Sequence, residues 1–511
     1  MLKILAGIGL IQVLAIVVGI VRSKVMAVLL GPEGIGVVSL IDNTVLLVLR
    51  ICAFSLPFAA IKFLSRSYSK DHETFNNTYA SILKALLLLT AVGTALGLAI
   101  AIWFPDQFGS ELHDYRQLLF PALLAIPAAA LHGFISQTLA AAQKPRLAGL
   151  FVVSIAIFLT ISSAVGIFVG GTWGFYWANF AMTTAIAIGG LYFLRQRFNL
   201  RTFRGRHSIL QEIRTNPDIV TFSLILYAAG FTQPIALFMV RYTTLSLYGE
   251  AEAGYLQAAI LLAAALNTIL NPMNGLYLTP IVNQDISKQE KIEATVRFQS
   301  RYVLIVFVLA MPMVLFAKWL VILQYSPQFL EVAQILFLFV ITQCLTQFAG
   351  VYQALIIGLD DLKIYAVALA LGQFSLGLIA IALTPILGLT GVAAAFLISN
   401  TSILLLTWAQ LAFRHGLKLP RRLLLSMVYG LVALYVVGGI SNSLEADNLV
   451  VIAGKVVLYG LFALSLMFFL NSDDWQKIRS SLDSLSSHLK GEGWRHTAGY
   501  AYRQMVRMFF T

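Results

Sequence analysis

The chain has 511 residues, 59% of them hydrophobic and only 11% charged, against roughly 45–50% and 25% in an ordinary soluble protein. So few charges cannot clothe a water-soluble surface, which excludes the several soluble domains that the length alone would predict. The net charge of +12 is not gathered on one soluble face or arm, so no nucleic-acid partner is expected, and Cys52 and Cys344 each lie inside an apolar run, which excludes a disulfide scaffold or a thiolate metal site.

A hydrocarbon layer about 30 Å thick takes about 20 apolar helical residues. Fourteen segments meet that length: 4–30, 36–61, 78–103, 117–140, 147–169, 174–194, 218–247, 254–280, 302–324, 330–357, 364–383, 390–412, 422–440 and 449–470. The first is too long for a cleaved signal and carries Arg22 and Lys24, so it is expected to stay in the mature protein. Counting alternate loops, 27 of the 35 Lys and Arg fall on one side and only Arg116 on the other. Both termini are therefore expected on the cytoplasmic side.

The two halves repeat at a shift of about 217 residues. Arg22 corresponds to Arg241, the turn Gly31–Gly36 to Gly249–Gly254, Gln137 to Gln353, and Gly171-Thr-Trp-Gly174 to Gly388-Leu-Thr-Gly391. Six segments separate equivalents, so the halves share one orientation, a parallel repeat of the kind found in transporters. The expected fold is an all-α polytopic membrane protein: a first lobe over 1–198, an amphipathic linker over 199–216, a second lobe over 217–415, two further helices over 416–470 and an amphipathic tail over 471–511. Linker and tail place apolar residues at helical spacing among basic ones, as interfacial helices do.

The chemistry rests on charges inside the segments. Each costs roughly 2.5–3.5 kcal/mol at the membrane centre, so Arg22, Lys24, Arg50 and Arg241 must face water, a partner or a substrate. Of the 23 Asp and Glu, only Asp42 lies inside a segment rather than at its very end, Glu331 marking the outer start of another, which leaves buried positive charge in excess. Such a cavity attracts anions, and the planar guanidinium fork suits phosphate. Arg22 and Lys24 are two positions apart and cannot share a face; Arg22, with its repeat partner Arg241, is the expected ligand. Asn43, Arg50, Phe54 and Pro57 share one side of the second segment at spacings of seven, four and three, and Asn267, Asn271 and Asn274 form a stripe in the eighth. These amides either line a cavity or hold helices together. His132 lacks the carboxylate or cysteine company of a catalytic site, and no GxxxxGK[ST] loop is present, so neither catalysis nor ATP hydrolysis is expected.

The stretch Arg22-Ser-Lys-Val-Met-Ala-Val-Leu-Leu-Gly-Pro-Glu-Gly-Ile-Gly36 resembles the opening of the polysaccharide transporter family, the Wzx-type lipid-linked oligosaccharide flippases of the multidrug/oligosaccharidyl-lipid/polysaccharide exporter superfamily. The resemblance implies export of an undecaprenyl-pyrophosphate-linked glycan, such as an O-antigen or exopolysaccharide repeat unit, by alternating access through a cleft between two lobes. It also implies cationic cavity residues at Arg22, Arg50 and Arg241, with Lys24 as a further candidate. The expected partners are that glycan, membrane lipids, a glycan polymerase and a chain-length regulator. No cofactor is implied, and a coupling ion, H⁺ or Na⁺, stays open because the cation-coupling acids of the drug-exporting branch have no clear counterpart. The alternatives are a lipid II-type precursor flippase, a cation-coupled multidrug exporter of the same fold, and a membrane-embedded glycan polymerase or transferase.

Overall fold

The computed structural model describes residues 2–54, 56–68, 71–103, 115–200, 218–282, 284, 286–443 and 449–469. Ordered structure there is helical, without a strand among the described residues. In chain order the helices are α1 (Leu2–Ala53), α2 (Leu56–Tyr68), α3 (His72–Trp103), α4 (Arg116–Leu124), α5 (Ile126–Ala141), α6 (Pro145–Phe198), α7 (Asp218–Tyr248) and α8 (Glu250–Met273). There follow a π-helical turn (Asn274–Leu278), α9 (Thr279–Val282), α10 (Lys288–Leu315), α11 (Ala317–Gln324), a 3₁₀ turn (Pro327–Phe329), α12 (Val332–Gly358), α13 (Leu362–His415), α14 (Arg421–Ser443) and α15 (Leu449–Leu466). Most of the expected linker and the tail 471–511 lie outside the described residues.

Ten helices among the described residues are long and apolar enough to cross a membrane. Three of them hold two of the expected segments each, on either side of a glycine turn: α1 at Gly31 (φ 67°, ψ −175°), α6 at Gly170–Gly171 and α13 at Gly388. Left-handed backbone costs a side-chain-bearing residue roughly 1–2 kcal/mol, so glycine is the residue that ends a helix there. At Gly31 the next residue is Pro32, whose fixed φ restarts the helix. Gly171 (φ 56°, ψ −140°) and Gly388 (φ 60°, ψ −142°) share one backbone geometry.

Proline corrects three of the expected segments. The second spans 36–61, but α1 stops at Ala53 and Phe54 takes φ 47°. In an unbroken helix Pro57 would clash with the carbonyl of residue 53 and could not donate to it; the break moves Pro57 into the first turn of α2, where neither fault matters. The Phe54 ring stacks on Tyr227 of α7 at 4.7 Å. The fourth segment divides at Ala125 ahead of Pro127, and the ninth divides at Phe316 after Pro312.

The described residues form two compact units. One takes Met1–Leu262, Lys318–Ile335 and Ala366–Ser399; the other takes Ala263–Ala317, Leu336–Tyr365 and Asn400–Thr511. In the first unit, Val37, Leu40, Ile41, Leu119, Leu123, Phe175, Tyr176, Leu245 and Ala253 make a buried core from α1, α4, α6, α7 and α8. A second core joins Phe63, Phe75, Tyr79, Phe134 and Leu194. Large apolar side chains such as Leu88, Val165, Phe168 and Leu371 remain exposed, as lipid-facing residues do and water-facing ones rarely do.

Candidate functional site

Four polar side chains meet in the first unit because two helix turns set them at one depth. Arg22 lies nine residues before Gly31 and Asp42 eleven after it; Arg241 lies eight before Gly249 and Gln257 eight after it. At 1.5 Å per residue all four sit about 12–17 Å from their turns. The turns themselves are pressed together: a methyl group on Gly36 would collide with the backbone carbonyl of Glu250, and one on Gly254 with that of Pro32. Glycine at both positions lets α1 and α8 touch backbone to backbone, and this fixes the alignment of the side chains below.

Arg241 is 4% exposed. Its Nε and Nη2 donate to Oε1 of Gln257 at 3.2 and 2.5 Å, and its Nη1 reaches the Leu237 carbonyl at 3.5 Å. Gln257 is a neutral acceptor, so the guanidinium is hydrogen-bonded but its charge is not cancelled by contact. Arg22 is half-buried, and its Nε is enclosed without a hydrogen-bond partner. Asp42 is exposed although Ile41 and Asn43 on either side of it are buried. The Tyr176 hydroxyl lies 3.1 Å from Asp42 Oδ1 and 3.2 Å from the Val38 carbonyl, sharing one proton between them. Both arginines act on Asp42 through space, Arg22 more strongly, yet among the described residues neither closes on it as an ion pair. The cluster therefore holds two cations to one anion and has donor capacity left over.

The other candidates lie elsewhere. Arg50 lines a separate cavity of about 180 Å³ with Leu46, Pro57, Gly133 and Gln137, eight residues and so about 12 Å along the helix from Asp42. Lys24 donates to the Ile322 carbonyl at 2.6 Å, near the carbonyl end of α11, a position where helix dipoles favour a cation. Asn43 is buried and donates to the Ser39 carbonyl of its own helix at 2.6 Å. In the second unit, Gln347 Nε2 donates to Asn267 at 2.6 Å and to Asn271 at 3.0 Å, and the Tyr302 hydroxyl donates to Gln347 Oε1 at 2.5 Å. Asn274 Oδ1 is enclosed and unbonded beside this stripe. His132 donates to the Thr183 carbonyl at 3.0 Å, and both cysteines are free thiols. Among the described residues no cluster of His, Cys, Asp and Glu could hold a metal.

Two members of the cluster escaped sequence reasoning. Gln257 could have been found from its distance to Gly249, the same on the far side of the turn as that of Arg241. The Tyr176 contact to Asp42 spans 134 residues and has no local signature.

Residues 3–284, more than half of the chain, match the family described as polysaccharide biosynthesis protein. No curated protein is significantly similar to the chain in sequence. Among solved structures, the lipid II flippase MurJ in an inward closed conformation is similar over 91% of this chain and 99% of its own, with a TM-score of 0.67 and 13% identity. A multidrug resistance MATE family transporter of the MOP superfamily, inward-facing, is similar over 85% and 96%, with a TM-score of 0.60 and 15% identity. Its outward-facing counterpart gives a TM-score of 0.56 over 84% and 93%, at 14% identity. A family match across more than half of the sequence, on helices long and apolar enough to span a bilayer many times, makes this chain a multi-pass membrane protein of the polysaccharide biosynthesis protein family with the fold of MOP superfamily transporters.

Proposed function

We propose that the chain is a flippase that carries a polyprenyl-pyrophosphate-linked oligosaccharide from the inner to the outer leaflet, with Arg22 and Arg241 holding the pyrophosphate. The observation that carries this reading is the surplus of cation in the cluster: Arg241 is bonded only to neutral acceptors and Arg22 retains an enclosed donor without a partner. A guanidinium in a low-dielectric site suits a phosphate oxygen better than any neutral headgroup. The same surplus disfavours a cationic drug as cargo. A peptidoglycan-precursor lipid carries the same pyrophosphate and belongs to the same reading.

Movement is proposed as alternating access, residues 1–198 rocking against 217–415 around the turns at Gly31 and Gly249. Each negative charge moved outward under an inside-negative potential gains about 2.3 kcal/mol per 100 mV, so a doubly charged pyrophosphate diester gains roughly 4.6. The potential alone is then a sufficient driving force. The test is flipping of a fluorescent polyprenyl-pyrophosphate glycan in proteoliposomes under a potassium diffusion potential without a proton or sodium gradient. The rate should rise with an inside-negative potential and fall when it is reversed. An Arg22→Ala, Arg241→Ala double variant that flips as the wild type does would refute the assignment of the site.

A further inference from the structure

Asp42 is a carboxylate on a membrane-spanning helix that no step of the proposed transport uses, and its surroundings define what it can do. It is exposed while the residues flanking it are buried, so it faces open space rather than a packed core. It lies within electrostatic reach of Arg22 and Arg241 but forms no ion pair with either, because the Tyr176 hydroxyl, itself on a buried ring, holds Oδ1 at 3.1 Å. The second carboxylate oxygen has no such tether. Arg241 is meanwhile held by the neutral Gln257.

From this geometry we infer that Asp42 is an internal counter-anion that competes with the pyrophosphate for Arg22 and Arg241. It sets the affinity of the site low enough for release. With the site empty, its charge offsets part of the arginine field; when the pyrophosphate arrives it is the weaker ligand, tethered at a distance by Tyr176; when the pyrophosphate leaves, that offset is restored. A transporter needs this because an uncompensated pair of guanidinium groups in a low dielectric would hold a phosphate ligand tightly, and release would limit turnover. Tyr176 fixes how strongly the competitor acts: a carboxylate bonded to the hydroxyl stays back, and one freed from it closes onto the arginines.

This inference rests on the proposed arginine site, and the experiment separates the two. The full chain in lipid nanodiscs is titrated with farnesyl pyrophosphate and with inorganic pyrophosphate, and flipping is measured in proteoliposomes. Asp42→Asn, which removes the charge and keeps the shape, should tighten binding of both probes about tenfold while lowering the maximal flipping rate. Tyr176→Phe should weaken binding about threefold, and Asp42→Glu should bind within about twofold of the wild type. A purely structural role for Asp42 and Tyr176 would weaken binding in both the Asn and the Phe variants. Binding by Asp42→Asn no tighter than wild type, or tighter binding by Tyr176→Phe, overturns the inference; should the Asn variant not fold, Asp42→Ser, which also removes the charge, is read in its place by the same criterion. Unchanged binding in the Arg22→Ala, Arg241→Ala double variant would instead overturn the site itself.

Discussion

Two polar clusters lie inside apolar helices of this protein, and they are built on opposite principles. In the first unit, Arg22, Asp42 and Arg241 carry formal charges that are only partly answered by their neighbours. In the second, Asn267, Asn271, Gln347 and Tyr302 are neutral and answer one another, each hydrogen bond joining two members of the group or a member to backbone. A satisfied neutral network gains little from a ligand and holds helices together. A charged cluster with donors to spare gains much from an anion. The difference separates a binding site from a structural clasp, although both look alike as polar residues at helical spacing.

The sharpest way to break this comparison is Arg241→Ala. It should abolish flipping, by more than a hundredfold, while the protein still reaches the membrane, and Arg241→Lys should restore only part because lysine lacks the fork; a fluorescent-substrate flipping assay on matched protein amounts reads both. Next is Gly36→Val. Its side chain would meet the Glu250 carbonyl, and overpacking of this kind costs about 1–3 kcal/mol. The turn should be forced open, shifting Arg22 and Asp42 against Arg241, so anion binding falls while the amide network keeps its contacts. Thermal unfolding together with pyrophosphate titration would show it.

Gln347→Leu tests the other cluster. It removes three hydrogen bonds but no charge, and should lower stability by about 1–2 kcal/mol with flipping per folded molecule unchanged. A loss of anion binding in this variant would erase the distinction drawn above. The smallest effect is expected in the turn after α12. There Asp361 accepts from Arg414 at 3.2 Å and from His415 at 3.1 Å. Burial pushes its carboxyl up, but the bond from His415 and the charge of and bond from Arg414 hold it below its ordinary value of 3.8. A depressed folded value means that the stabilisation is complete above 3.8 and disappears as the pH falls through the lower folded value. Arg414 is more than half exposed, so Arg414→Ala should cost no more than about 1 kcal/mol, and the acid sensitivity of unfolding should shrink in Asp361→Asn.

Segment positions and the membrane character were legible in the sequence because hydrophobic length is a local property. So were the glycine turns, since left-handed backbone demands glycine and the demand is visible in one residue. Breaks at Ala53, Ala125 and Phe316 were harder to read, because proline is tolerated within membrane helices and its presence does not say which way the chain resolves the lost bond. For the site, residue type flagged Arg22 and Arg241, since an intramembrane charge is rare enough to stand out. Arg50, flagged by the same rule, sits in its own cavity, and Lys24 meets a backbone carbonyl; which arginines meet is a matter of helix rotation and depth, set by contacts as remote in sequence as Tyr176 to Asp42. Asn43 looked equivalent to the arginines in spacing, but a short amide folds back onto its own backbone, an option that a long guanidinium lacks.

The matched turns at Gly171 and Gly388 have one more consequence. Two segments 217 positions apart that bend through the same backbone angles are interchangeable parts. Both carry a second glycine three residues on, packed against a backbone carbonyl, of Gly166 in one case and of Leu383 in the other, while between the glycines one has Thr-Trp and the other Leu-Thr. The glycines are thus the specification and the residues between them are free to drift. A chain in which residues 172–173 and 389–390 are exchanged should fold and flip as the original does, whereas alanine at either left-handed glycine should not be tolerated in any context. The molecule keeps, in these turns, a memory of having been made twice from one pattern.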